Sequence, residues 1–389
     1  MKWMWPWAAL CLYAFPGIPA IAQIDEAPSV VLARGRLEEA RARLAQAGRR
    51  FQENPALEVN GGYRHAEDDY LDFEAAVSQG LYDRNRRAAR IAGAEAAVER
   101  AEAELDDARR LVRRDVETLL VRARIAGDRL KVLTRDRQSA DELLAATERR
   151  YEAGEATALE LNRARASAAS ARAEQGGAQA EESAVLSELQ ALTGQTVEIG
   201  ESPALSQPPD LEALLAKIDQ RPDLRAIAAE LREAEAEVQL GQALSRPGYG
   251  LRGGVGREEG AELVTAGVVV SLPFHDKGQE TRAVGESRAA ALRQALARAR
   301  TAAEAEIRGR HSALLRHLDA ARELEQTALP ALEDNESLAL KSFEAGEIGL
   351  GELLLLRREI LETRLTHLQR LLDASLTRVE LETAAGALP

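Results

Sequence analysis

The chain has 389 residues, with 64 acidic against 51 basic side chains, and its net charge of −13 argues against a nucleic-acid partner. Its single cysteine, Cys11, excludes a disulfide framework. Beyond the first two dozen residues no apolar run approaches the ~20 residues of a transmembrane helix, so a membrane-spanning form has to use strands.

The first 22 residues read as a secretory signal peptide. Lys2 supplies a minimal positive start, Trp5 to Phe15 an apolar core, and Pro19-Ala20-Ile21-Ala22 a small-residue cleavage site before Gln23. Cys11 and all three tryptophans lie in this leader, and loss of Lys2 takes the mature charge from −13 to −14. No cysteine is left to carry a lipid.

Residues 28–53 form a charged amphipathic helix that the pattern ends at Asn54-Pro55. Two strands follow, because Leu57, Val59, Gly61 and Tyr63 alternate with Glu58, Asn60, Gly62 and Arg64, and Leu71, Phe73, Ala75 and Val77 alternate with Asp72, Glu74, Ala76 and Ser78. His65 to Asp69 is the polar turn between them. From about Asp83 to Arg150 there is no proline, and Ile91, Val98, Leu105, Val112, Leu119, Ala126, Leu133 and Ala140 fall at seven-residue steps, the seam of a coiled coil. At 1.5 Å per residue such a helix reaches on the order of 100 Å. Gly154 stops it, and a return helix runs through about Leu192.

The same text then recurs. Tyr151-Glu-Ala-Gly-Glu155 returns as Phe343-Glu-Ala-Gly-Glu347, Val77-Ser78 as Val270-Ser271, Pro55 as Pro247 and Gly194 as Gly386, at offsets of 192, 193, 192 and 192. A nearly constant offset across strand, turn and helix marks a duplicated structural unit. The domains are therefore 1–22, the signal peptide; 23–209, a first repeat with strands at about 56–80 and a helical hairpin at about 83–193; and 210–389, a second repeat with strands at about 247–273 and a hairpin at about 277–386. The second repeat opens with a short helix at Asp210–Gln220 and another from Pro222 to about Ser245. Pro330 sits inside its outgoing helix and is expected to kink or break it.

The fold class is thus mostly α with a small β part. Six of the nine mature aromatics (Tyr63, Tyr70, Phe73, Tyr82, Tyr249, Phe274) lie in or beside the strands, as in the girdles of a membrane barrel. Four strands cannot close a barrel, for which about eight are the minimum. Pooling strands among three copies gives twelve, enough for an aqueous lumen, with the long antiparallel hairpins forming a separate coiled-coil cylinder.

In these residues the chain resembles the TolC-like outer-membrane efflux factor family over essentially its whole mature length. The resemblance rests on the two Tyr/Phe-Glu-Ala-Gly-Glu turns, Arg221-Pro-Asp-Leu224, Leu189 to Gly194, and Val270 to Gly278, in this order and spacing. It implies a homotrimeric duct with a 12-stranded outer-membrane β-barrel and a periplasmic α-barrel. The duct passively exports substrates handed over by an inner-membrane pump, proton-driven, through a periplasmic adaptor protein. It also implies an acidic pore aperture at the periplasmic mouth, which falls on Glu352 and Glu160. Glu160 alternatively completes a capping box with Thr157. The second acid that many relatives carry one turn later is replaced by Leu355, which implies a greasier constriction. The tips, Gly154, Glu155, Gly346, Glu347 and Ile348, are the expected adaptor-docking surface, against the plainer reading that glycine is there for the turn alone.

Catalysis is not expected, since no nucleophile–His–acid arrangement, phosphate-cradling loop or carboxylate pair is present, and no cofactor is called for. His65, His275, His311, His317 and His367 lack metal-site spacing and read as solvated surface residues. Two rivals remain: a periplasmic adaptor, which normally has one hairpin rather than two, and a secreted coiled-coil scaffold, which has no need of amphipathic strands.

Overall fold

The computed structural model describes residues 24–49, 51, 54–65, 69–81, 83–197, 199, 207–258 and 261–386. The leader and its cleavage site, Tyr82, and the middle of the first strand turn lie outside the described residues.

The elements in chain order are α1 (Pro28–Ala47), β1 (Ala56–His65), β2 (Asp69–Leu81), α2 (Arg84–Glu152), α3 (Ala158–Thr193), α4 (Leu211–Leu215), a 3-10 turn (Ile218–Gln220), α5 (Pro222–Leu244), β3 (Gly248–Glu258), β4 (Ala261–Ser271), α6 (Gln279–Glu323), a π-helical segment (Leu324–Ala328), α7 (Leu329–Glu344) and α8 (Leu350–Ala384). Helix α1 stops earlier than its charge pattern suggests. Gly48 turns back on Leu44, and the Arg87 guanidinium donates to the Gly48 carbonyl at 2.6 Å, which closes the helix end with a cation.

Two compact units divide the chain, and they cut across the sequence repeats. One contains Pro28–Arg114, Leu205–Glu323 and Asp373–Pro389; the other contains Asp115–Ala204 and Leu324–Leu372. Each takes equivalent pieces of both repeats.

The first unit holds the sheet, in the order β1-β2-β3-β4 and antiparallel throughout. The same unit has a separate helical core, where Leu214, Ile218, Leu224, Ile307, Leu314, Leu318 and Leu381 are buried. Burying side chains of this size stabilises by about 1.5–3 kcal/mol each. The Arg221-Pro-Asp-Leu224 motif fastens this core. Pro222 starts α5, where its missing N–H is harmless, while Arg221 donates to the Ala384 carbonyl at 2.7 Å and pairs with Asp223 at 2.7 Å. Burial by itself raises the Asp223 carboxyl, but the Arg221 hydrogen bond and charge, with the charge of Arg110, outweigh it and hold the group below its usual value.

The second unit is helical. On its stretch of α2 the heptad positions Ala126, Leu133 and Ala140 are buried. Ala140 packs on Ala168 and Ala171 of α3, so small residues set the spacing of the two antiparallel helices.

Candidate functional site: the faces of the sheet and the tips of the hairpins

The sheet is amphipathic and its apolar face is bare. Registers align Leu57 with Val77, Tyr63 with Leu71, Ala75 with Val255, Tyr249 with Val270, Leu251 with Val268 and Val255 with Val264, which places all of these side chains on one face. Val264 is 81% exposed, Leu71 74%, Leu57 68% and Val268 65%. Exposed apolar area of this extent has to be covered by something other than water. The aromatics Tyr63, Phe73 and Tyr249 are exposed on or near this face, and Phe274 just beyond the end of β4. The side chain of Tyr70 and all of Tyr82 lie outside the described residues.

The opposite face carries Glu58, Asn60, Asp72, Glu74, Ser78, Arg252 and Thr265, interleaved with Gly250, Gly254 and Gly256. Among the described residues β1 and β4 each pair on one side only, which leaves the sheet two open edges there. Among the described residues no helix is long and apolar enough to cross a membrane, and no group of side chains is arranged to hold a metal ion.

In the second unit the two hairpin tips have one geometry. Gly154 (φ 78°) and Gly346 (φ 77°) occupy the left-handed position. Gly154 N–H donates to the Tyr151 carbonyl and Glu155 N–H to that of Arg150; Gly346 N–H donates to Phe343 and Glu347 N–H to Ser342. Both are complete Schellman turns, and they explain why the Gly-Glu pair recurs. Gly154, Glu155, Gly346 and Glu347 are exposed. Ile348 differs, because its side chain is half-buried and packs on the Leu143, Leu350 and Leu353 cluster. The Arg150 guanidinium lies over the Phe343 ring at 5.4 Å, which ties the end of α2 to the end of α7.

The two acids differ in their surroundings. Glu160 sits in the first turn of α3, where its carboxylate accepts from the Thr157 N–H at 2.7 Å and the Thr157 hydroxyl at 2.9 Å while Thr157 caps Glu160 N–H. The Thr157 backbone hydrogen bond, then the hydroxyl and the charges of Arg150 and Arg163, lower its pKa. Glu352, in the first turn of α8, is exposed. Beside it a Cβ on Gly351 would meet the Arg163 guanidinium at 2.9 Å, so Arg163 lies near both acid-bearing turns. Leu353 is buried, whereas Leu355 is 68% exposed.

Several features have no local sequence signal. Arg357 on α8 donates to the carbonyl and carboxylate of Asp136 on α2 at 3.2 and 3.1 Å, with both side chains largely buried. Outgoing and return helices of different repeats are joined there, and only the tertiary fold brings them together. The histidines are not uniformly solvated, as the sequence had suggested. His311 Nε2 lies 3.1 Å from the Pro209 carbonyl, and His367 is half-buried with no partner for Nε2 among the described residues.

Comparison with known proteins agrees with this geometry. The family model of the outer membrane efflux protein matches residues 23–195. No curated protein sequence matches the chain. Among solved structures, the outer-membrane channel OprN is 20% identical and superposes with a TM-score of 0.78, over 95% of this chain and 90% of its own. The outer membrane protein VceC from Vibrio cholerae is 19% identical with a TM-score of 0.77, over 94% and 95%. The CmeC outer membrane channel of Campylobacter jejuni is 16% identical with a TM-score of 0.75, over 95% and 86%. The fold is that of these channels.

Proposed function

We infer that this chain, similar over residues 23–195 to the outer membrane efflux proteins and folded throughout like their solved channels, is the outer-membrane exit duct of a tripartite export system. The single observation that carries the reading is the bare apolar face of a four-stranded sheet with two unpaired edges. Lipid covers such a face, and a second and third copy satisfy such edges, giving a homotrimer whose twelve strands close around an aqueous lumen. The polar face then lines the lumen, and the helical hairpins lie in the periplasm.

The duct is passive. Energy comes from an inner-membrane pump, proton-driven, and a periplasmic adaptor protein engages the tips at Gly154, Glu155, Gly346 and Glu347. Ile348 contributes by holding the second tip on its apolar cluster. Glu352, exposed at the start of α8, is the pore-aperture acid, and three copies form a ring that favours cations. Glu160, whose pKa is lowered chiefly by its hydrogen bonds to Thr157, adds a second carboxylate at the start of α3. Leu355, exposed on the same helix, makes the aperture less polar.

Cell fractionation with unheated gel electrophoresis tests the duct. A heat-modifiable trimer in the outer membrane is expected; a monomer released with the soluble periplasm overturns it. In planar bilayers Glu352→Gln lowers cation preference, and an unchanged preference removes Glu352 from the aperture.

A further inference from the structure

On the polar face of the sheet one side chain reaches across three strands. Arg252 of β3 extends over β2, its guanidinium 3.3 Å from a Glu58 carboxylate oxygen on β1 and 3.5 Å from a Glu74 oxygen on β2. Beneath it Ala76 is only 2% exposed. Its neighbours on the same face of β3 are Gly250 and Gly254, and a Cβ on Gly254 would meet the Ala76 Cβ at 3.0 Å and the Thr265 hydroxyl at 2.9 Å. Glycines therefore flank Arg252 on both sides along its own strand on this face. Glu58 is held in turn by Asn60, whose amide donates at 3.1 Å.

We propose that Arg252 sets the charge balance of the barrel lumen and so the cation–anion selectivity of the outer-membrane segment of the duct. The proposal rests on the duct reading, in which this face lines the lumen. Among the charged residues of this face whose side chains are described, Glu58, Asp72, Glu74 and Glu258 are acids and Arg252 is the one cation. It lies between two of the acids, so its loss leaves Glu58 and Glu74 unneutralised at one level, three times over in a trimer. Charges on a pore wall bias ion flow in proportion to the local potential, which salt screens over about 30 Å at 0.01 M and about 3 Å at 1 M.

A purely structural staple is the rival role, and the choice of variants separates the two. Arg252→Gln removes the charge; Arg252→Lys keeps the charge but loses the two-pronged fork. Reversal potentials are read on trimers in planar bilayers across a KCl gradient near 0.01 M. Arg252→Gln is expected to raise the cation/anion permeability ratio roughly two-fold, Arg252→Lys to leave it at the wild-type value, and the double variant Glu58→Gln/Glu74→Gln to lower it. All differences fade near 1 M KCl. If Arg252→Gln does not assemble, the double carboxylate variant carries the test alone. Wild-type channels with an Arg252→Gln ratio unchanged, or shifted equally by Arg252→Lys, overturn the selectivity role and leave the duct standing. Wild-type protein that forms no channel overturns the duct and the proposal with it.

Discussion

Adjacent residues of β4 give the sharpest test of the membrane-facing sheet. Val268 lies on the apolar face opposite Leu251 and is 65% exposed, whereas Gly267 lies on the polar face with open space where a Cβ would point. Arginine at either site introduces the same charge and the same bulk one residue apart. On the lipid face near the bilayer centre it costs about 2–4 kcal/mol per site, so three copies amount to about 6–12 kcal/mol per trimer if the sites act independently. On the lumen face the guanidinium stays in water; it stands directly opposite Arg252, so a like-charge repulsion is added and the cost is about 1 kcal/mol or less, still well below the lipid-face value. Val268→Arg should therefore abolish the heat-modifiable trimer or lower its urea midpoint strongly in lipid vesicles, while Gly267→Arg assembles normally. Equal losses from the two variants would refute the reasoning, and so would a loss confined to Gly267→Arg, because either outcome means that the two faces do not meet different solvents.

Three other expectations concern the helices. Gly154→Ala and Gly346→Ala each force a side chain into the left-handed region and should destabilise their tip by about 1 kcal/mol, read as faster amide exchange confined to that turn. Arg357→Ala strands the Asp136 carboxylate in a largely buried setting and should cost about 1–3 kcal/mol, between the values for exposed and buried pairs; Arg358→Ala, whose pair with Glu362 is solvated, should leave thermal unfolding unchanged. The Asp223 pKa is lowered in the folded state, so its stabilisation is complete above the ordinary aspartate value near 3.9 and fades as pH falls through the folded value. Asp223→Asn should therefore lower the melting temperature at pH 6 and flatten its decline below about pH 4.

Period-two alternation reveals the strands because each has one face in a different environment, and the registers put Leu57, Val77, Val255 and Val264 on the same side. The turn glycines are equally legible, since the backbone at Gly154 and Gly346 takes a conformation that other residues resist. Legibility ends where distant segments meet. Nothing in the strand patterns states that β2 pairs with β3, and nothing in the helix text pairs Arg357 with Asp136. The early end of α1 depends on Arg87, well beyond it in the chain. At the tips the sequence picks out Glu160 and Glu352 alike and already offers Thr157 as a capping partner for Glu160; the structure shows that capping box formed, while Glu352 stays exposed.

The duplication also isolates a difference between the hairpins. Helix α2 runs unbroken from Arg84 to Glu152, whereas its counterpart in the second repeat is interrupted by the π segment Leu324–Ala328 just ahead of Pro330. Proline has no N–H for the regular bond, and its ring crowds the carbonyl four residues back, here that of Gln326. Widening the helix around Gln326 relieves that crowding and leaves Pro330 in the first turn of α7, where a missing donor is tolerated. The wider turn has poorer hydrogen bonding than the α-helix it replaces, so the second outgoing helix yields there at lower energy than α2 does at the equivalent Gln138. The same segment carries Glu325, whose charge acts on His367 of α8. Burial, only partly offset by Glu325, lowers the His367 pKa, so the folded protein favours the neutral ring. Burial of the neutral ring therefore stabilises fully above the ordinary histidine value near 6.5, and this stabilisation is lost as pH falls through the folded value. Two hairpins closed by matching turns therefore differ in backbone geometry and in the setting of one histidine, and both differences trace to the proline-bearing arm and the helix beside it.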